Sequence, residues 1–302
     1  MYKRKIILFL SCFFSIFIYA QKTDARLMKQ LQPILKEFHG EVGVYVKNLN
    51  NGKVVAINAD TIFPTASMIK IPILIGLMDK IESGELDYHQ EIVYRDSLLY
   101  AGVDILGSFK DSEKIEVNKV MLLMLTMSDN TASLWLQSLA GTGTRINQIL
   151  DSLGFENTRV NSRTPGREKD RSMYGWGQTT PREMATLVER IYNNQIVSPA
   201  ACMRMQRSLS RNYWDAYAIS SIPPNVQVLS KGGAVDESRN EVLLVNGPNR
   251  YVFCICTKSN ADTSWNLKNE AWQMTRKISA LLWNYFEPKN KWMPPVNADE
   301  FN

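Results

Sequence analysis

The stretch Phe63-Pro-Thr-Ala-Ser-Met-Ile-Lys-Ile-Pro-Ile-Leu-Ile-Gly-Leu-Met-Asp-Lys80 organises the reading of the whole chain. Its centre, Ser67-Met68-Ile69-Lys70, sets a hydroxyl and an amine three residues apart at the start of what reads as a buried helix. Helical residues at that spacing share a face, with Cβ atoms about 5–6 Å apart, so the amine can touch the hydroxyl. A hydroxyl is a weak nucleophile at its free pKa, and a neighbour that accepts its proton is the minimum requirement for covalent catalysis. A helix N-terminus adds free N–H groups and the positive end of the dipole, both favouring negative charge that develops there. By itself Ser-x-x-Lys is also what a solvated serine and lysine on any helix show.

Two later stretches change the weighting. Ser128-Asp129-Asn130 follows an apolar helical run, and Lys231-Gly232-Gly233 closes a strand-like segment. In order and approximate spacing the three resemble the Ser-x-x-Lys, Ser-Asp-Asn and Lys-Thr-Gly set of class A β-lactamases and penicillin-binding proteins. From about residue 24 to 286 the chain therefore resembles the class A β-lactamase-like serine hydrolases.

Working outward, the 302 residues are 45% hydrophobic and 22% charged, enough for a sizeable core in one large domain or two. Lys3, Arg4 and Lys5, the apolar run from Ile6 to Tyr19, and Ala20-Gln21 have the layout of a secretory signal peptide. Ile18 stands where a small residue is usual, so an uncleaved N-terminal anchor is the alternative. With the three leader cations removed, 32 basic residues face 30 acidic ones, a net of +2, which does not indicate a nucleic-acid role. Cys202, Cys254 and Cys256 remain; the last two are two apart on a strand, share a face and bridge poorly. All three read as small apolar core residues, a disulfide to Cys202 being the alternative. With only His39 and His89 and no Gly-x-Ser-x-Gly, a Ser-His-Asp hydrolase is set aside.

Along the chain, Leu27, Met28, Leu31, Ile34, Leu35 and Phe38 follow the 3.6 period of an amphipathic helix. Val42, Val44 and Val46 alternate with polar or small residues, and Asn51-Gly52 offers a two-residue hairpin turn before an extended segment from Lys53 to Asn58. Helices are expected after Ser67, from Val117 to Thr126, from Thr131 to Ala140, from Ile146 to Leu153, after the capping box Thr180-Pro181-Arg182-Glu183, and from Ser198 to Ser208. Glu156 to Gln178 is a polar run of the kind that forms a functional loop. Val226 to Ser230, Glu241 to Val245 and Tyr251 to Thr257 are strand-like, and a last helix capped by Ser264 carries Leu267, Trp272, Ile278, Leu281, Leu282 and Tyr285.

Two strands before the helical block and three after it predict an antiparallel five-stranded sheet whose halves come from both ends of the chain. The resemblance implies the same α/β (α+β) architecture of the β-lactamase/transpeptidase type, with flanking N- and C-terminal helices, an inserted all-helical domain and the site in the cleft. The expected division is a signal peptide at 1–20, a sheet domain at 21–62 and 212–288, a helical domain at 63–211 and a polar tail at 289–302.

The resemblance also assigns roles. Ser67 attacks a carbonyl and is acylated, Lys70 belongs to the proton path, Ser128 relays a proton to the leaving nitrogen, and Lys231 holds Ser128 and a substrate carboxylate. Asn130 binds a substrate side-chain carbonyl, and the strand at Gly233 and Ala234 supplies, with Ser67, the backbone N–H donors of an oxyanion hole. Two lysines beside one serine depress each other's pKa. No cofactor and no metal are expected; the expected partner is a small-molecule β-lactam or cell-wall peptide substrate, and the protein is expected to be a secreted, periplasmic monomer without stable membrane insertion after signal cleavage.

Two departures from the family's pattern stand out. Gly232 lacks the hydroxyl that helps grip a substrate carboxylate, for which Arg239 is a candidate second cation or else a solvated residue. The family's Arg-x-Glu-Pro is replaced by Arg163-Thr164-Pro165, and the nearest acid, Glu168, is either a displaced deacylation base or a solvated loop charge. Three functions follow: a class A-like β-lactamase with slow deacylation, a D,D-peptidase-like or other acyl-transfer serine hydrolase, or a non-enzymatic β-lactam sensor.

Overall fold

The structure is a computed structural model that describes residues 22–102 and 104–294. The expected signal peptide and the end of the polar tail lie outside the described residues. Five strands, β1 (Glu41–Asn48), β2 (Val54–Ile57), β3 (Gln227–Val235), β4 (Ser238–Asn246) and β5 (Tyr251–Lys258), form one antiparallel sheet in the order β2-β1-β5-β4-β3. The two ends of the chain meet where β1 pairs with β5, in a register running from Glu41 opposite Lys258 to Asn48 opposite Tyr251.

Side chains on a strand alternate between faces, and each face here has its own core. Val44 and Val46 of β1 join Phe253 and Ile255 of β5 beneath α1 (Ala25–Lys36) and the C-terminal helix Glu270–Phe286, which contributes Ile278, Leu282 and Trp283. Tyr45, Val252, Cys254 and Cys256 face the helical block instead. The three cysteines are free and buried, as the sequence suggested.

The block contains α2 (Lys70–Glu82), α3 (Val117–Leu122), α4 (Asn130–Leu139), α5 (Thr142–Ser152), α6 (Glu168–Tyr174), α7 (Pro181–Tyr192) and α8 (Pro199–Leu209). Every residue of α2 from Lys70 to Met78 is buried, which its Ile/Leu-rich run requires, and it packs against α4, α5 and α8.

Several local expectations change. The first hairpin turns through five residues, 49–53, because the Asn48 carboxamide accepts from Asn50 N and Asn51 N and Gly52 takes a φ of +71°. The last helix, α9 (Glu270–Phe286), is capped by Asn269, whose side chain accepts from Ala271 N and Trp272 N; Ser264 and Leu267 lie in the loop before it. Thr180 caps α7, accepting from Glu183 N at 3.2 Å, but the Glu183 carboxylate turns away to accept from Asn157 N and Thr158 N and so pins the start of the polar run. That run also contains α6, whose short, solvent-facing sequence carries no apolar period.

Candidate active site

Ser67 sits in a 3₁₀ turn, Ala66–Ile69, that feeds directly into α2, so Lys70 is the first residue of the α-helix. Ala66 enters the turn with φ +44°, a left-handed conformation that a non-glycine residue adopts at a cost of about 1–3 kcal/mol and that is concentrated at functional sites. Lys70 Nζ lies 2.9 Å from Ser67 Oγ, 2.6 Å from Ser128 O, 3.0 Å from Ser128 Oγ and 3.1 Å from Asn130 Oδ1. Ser128 O and Asn130 Oδ1 can only accept. In a neutral amine they take both N–H groups, leaving the lone pair to the two hydroxyls.

Burial, first, and the charge of Lys231, second, hold Lys70 well below the ordinary lysine range, with Asp129 opposing them. Lys70 is completely buried, and a neutral lysine at this place can accept the Ser67 proton. Lys231 is likewise buried and is brought down to about 7 by desolvation. Its Nζ donates to Ser128 Oγ at 3.0 Å and to Gly232 O at 2.9 Å. Ser128 therefore stands between two amines.

Ser128 owes its position to a left-handed backbone, φ +61°, at the end of a π-turn, Leu123–Met127, that follows α3. Asp129 caps α4, accepting from Ala132 N at 2.7 Å, and its other oxygen takes Leu106 N at 3.1 Å; its role is to hold the turn. β3 continues through Lys231-Gly232-Gly233 to Val235, farther than the sequence suggested. Gly233 makes this possible: a Cβ there would lie 2.4 Å from Thr65 O and 2.7 Å from Ser67 N. Only glycine lets the strand pass so close to the Ser67 backbone. Ala234, one residue on, lines both cavities beside Ser67.

The larger cavity, 600 Å³, is bordered by Tyr100, Trp176, Glu237 and Lys258; the other, 460 Å³, by Ser128, Lys231, Trp214 and Trp272. Ser67, Asn130 and Ala234 border both, so the hydroxyl stands where the two meet.

Glu168 is placed elsewhere. It opens α6, is exposed, accepts from Gly166 N at 3.1 Å, and does not line either cavity. Thr164 is buried and its hydroxyl donates to Ser162 O at 2.9 Å. Arg239 is neither solvated nor turned toward Ser67. It is 1% exposed, lies 4.3 Å over Trp265 and 4.9 Å over Trp272, and donates to the carbonyls of Asp236, Ser238, Thr263 and Ser264.

Sequence reasoning missed Glu241. It is 3% exposed, lines the 460 Å³ cavity and faces Gly232 across the β3–β4 register. Its only sequence signal is an acid at the head of the run Val242-Leu243-Leu244-Val245. One carboxylate oxygen accepts from Ala218 N at 2.9 Å; the other, Oε1, has no partner among the described residues. Desolvation raises this carboxyl to about 7, partly countered by the Ala218 N–H and by Lys231.

The sequence model of the Beta-lactamase enzyme family matches residues 26–286. The chain belongs to this family. It is a β-lactamase-like serine hydrolase, and its helices and antiparallel sheet have the β-lactamase/penicillin-binding-protein fold. Among curated relatives, beta-lactamase VEB-1 of Pseudomonas aeruginosa is 23% identical, covering 94% of this chain and 98% of its own, and beta-lactamase BRO-1 of Moraxella catarrhalis is 22% identical, covering 85% and 84%. A solved structure of a PBP-A variant, as its acyl-enzyme complex with penicillin-G, superposes with a TM-score of 0.78 at 25% identity, covering 89% of this chain and 98% of that one. A beta-lactamase from Sphaerobacter thermophilus does so with 0.78 at 21%, covering 90% and 100%.

Proposed function

We propose that the protein opens β-lactam amides through an acyl-enzyme on Ser67. The observation that carries the reading is the continuous chain of polar contacts from Ser67 through Lys70 and Ser128 to Lys231, buried and set against two cavities. Neutral Lys70 takes the Ser67 proton as Oγ attacks the carbonyl carbon. The backbone N–H groups of Ser67 and Ala234 receive the oxyanion, Asn130 orients the acyl side chain, and Ser128 hands a proton to the departing nitrogen. Lys70 then returns to Ser128 Oγ the proton it took from Ser67, while Lys231 holds the same oxygen by a hydrogen bond. VEB-1, BRO-1 and the penicillin-G adduct of PBP-A support this substrate class.

Hydrolysis of the acyl-enzyme needs a base within about 2.6–3.2 Å of the attacking water's proton. Among the described residues, the carboxylates lining the two cavities are Glu41, Glu237 and Glu241, and none comes from the segment between α5 and α7. Acylation accordingly outpaces release. The same feature favours a second reading, a peptidase-like enzyme that passes its acyl group to an amine instead of water. The signal-peptide layout of residues 1–20 supports export of the enzyme from the cytoplasm. Among the described residues no helix is long and apolar enough to cross a membrane.

Intact-mass spectrometry after brief exposure to penicillin G tests the reading. One adduct of the drug's full mass is expected on the parent protein, and none on Ser67→Ala. An adduct that survives the substitution removes the nucleophile, and an N-terminus at Met1 in exported material removes the cleaved leader.

A further inference from the structure

The cavity on the Lys231 side is lined by one cation, Lys231, and one buried acid, Glu241. Lys231 already donates to Ser128 Oγ and Gly232 O. Gly232 offers no hydroxyl, although a side chain would fit: a Cβ there would meet nothing nearer than Asn240 O at 3.8 Å. Directly across the strand pair stands Glu241, buried, lining the cavity, with Oε1 unpartnered among the described residues. Arg239 does not neutralise it, because that guanidinium donates to loop carbonyls behind Trp265 and Trp272.

The rest of the wall is aromatic. Trp214, Tyr217, Trp265 and Trp272 line the same cavity, with Tyr217 stacked on Trp272 at 4.4 Å between centroids. Ring faces attract cations and have no such affinity for anions; Arg239 already lies over a face of Trp265 and of Trp272, so Trp214 and Tyr217 are the rings offered to a ligand. A buried carboxylate that lacks a partner costs free energy until one arrives, and an ammonium supplies both the charge and the donor.

We infer that this cavity selects acyl donors bearing an ammonium group on the side of the reacting carbonyl that faces Lys231. The inference rests on the acyl-enzyme reading above and adds the substrate's charge to it. Glu241, held near neutrality by burial, becomes fully ionised when the ammonium docks against it. A carboxylate in the same position meets Glu241 instead and is disfavoured.

Three matched probes separate the possibilities: benzylpenicillin, its neutral methyl ester and its cationic 2-(diethylamino)ethyl ester. Binding is measured first on Ser67→Ala by calorimetry and tryptophan fluorescence, and acylation is then measured on the parent by mass spectrometry. The cationic ester is expected to bind at least tenfold more tightly than the methyl ester and to acylate correspondingly faster, with benzylpenicillin last. In Ser67→Ala/Glu241→Gln the cationic-to-neutral binding ratio should fall toward one. Should that double variant fail to fold, the three-probe order in the chain with native Glu241 still decides. Acylation with no preference for the cation, or fastest by benzylpenicillin, overturns the inference and leaves the acyl-enzyme reading standing. Preferential binding of the cation without any adduct on the parent overturns the acyl-enzyme reading and keeps the inference. Neither preference nor adduct overturns both.

Discussion

Gly233 and Ser67 are packed backbone against backbone, so that a methyl group at 233 would intrude to 2.7 Å from the Ser67 nitrogen. Gly233→Ala must push the strand away from the serine turn and take the Ala234 N–H with it. Loss of one oxyanion donor costs about 10²–10³ in rate, and a fall of that size is expected in acylation. Gly232→Ala is the control for strand geometry, since its Cβ reaches nothing closer than 3.8 Å; its unfolding midpoint should stay at or slightly above that of the parent. Equal acylation rates for Gly233→Ala and parent would show that the strand does not hold the oxyanion.

Lys70→Ala removes the amine 2.9 Å from Ser67 Oγ, the proton acceptor of the proposed mechanism. Residues that act as one unit lose most of the rate when any member goes, so acylation should slow by about 10³ or more. Stopped-flow acylation with a chromogenic cephalosporin measures it; a rate within tenfold of the parent would detach Lys70 from the proton path.

Glu168→Gln should leave both acylation and acyl-enzyme release unchanged, because the exposed carboxylate accepts from Gly166 N and does not line the Ser67 cavities. The half-life of the adduct by intact mass reads this directly. Accumulation of adduct in the variant alone would make Glu168 the deacylation base after all.

Stability should depend on pH through Glu241 and Lys231 with opposite signs. Glu241 is raised from 4.5 to about 7, so the folded state holds a proton that the unfolded state has released, and stability falls as pH rises through that window. Lys231 is lowered from 10.5 to about 7, so the unfolded state holds the extra proton, and stability rises from about pH 7 toward the unfolded lysine value. Asp215, Tyr217 and Lys231 act on or around the same carboxyl and keep their places in Glu241→Gln. That variant should therefore gain on its parent by about 1–3 kcal/mol between pH 5 and pH 8 in urea unfolding. A constant difference across the range would mean that Glu241 does not titrate.

How far the sequence revealed these features depends on how local their causes are. Ser67 and Lys70 were readable because three residues on a helix start fix their separation. Ser128 was readable only through the resemblance of Ser128-Asp129-Asn130 to the family's motif, since the cap at Asp129 by itself says nothing of the serine before it. The first strand was visible through the alternation of Val42, Val44 and Val46, and the last three as short β-rich runs, nearly continuous in apolar residues where both faces of the sheet are covered by a core. Glu241 was not visible, because its burial follows from a cross-strand partner without a side chain, and its register is fixed only when the β3–β4 pair forms. Arg239 was misjudged for the same reason: Trp265 and Trp272, which enclose it, come from the loop and helix beyond β5. α6 escaped because its sides face water and it has no apolar stripe to reveal it.

The pairing of Glu41 with Lys258 bears on when the enzyme becomes reactive. Contacts between such distant parts of a chain form late, since a long loop must close first. Ser67, Lys70 and Ser128 all emerge from the ribosome well before β3, whereas the Gly233–Ala234 segment reaches them only when the last three strands have joined β1. The candidate site is thus assembled in two instalments, Ser67, Lys70 and Ser128 first and the strand from Lys231 to Ala234 second, and a chain still being made has its serine without the strand beside it. On the acyl-enzyme reading proposed above, pulse-labelling of nascent chains with a fluorescent penicillin should detect no adduct until residue 258 has cleared the exit tunnel.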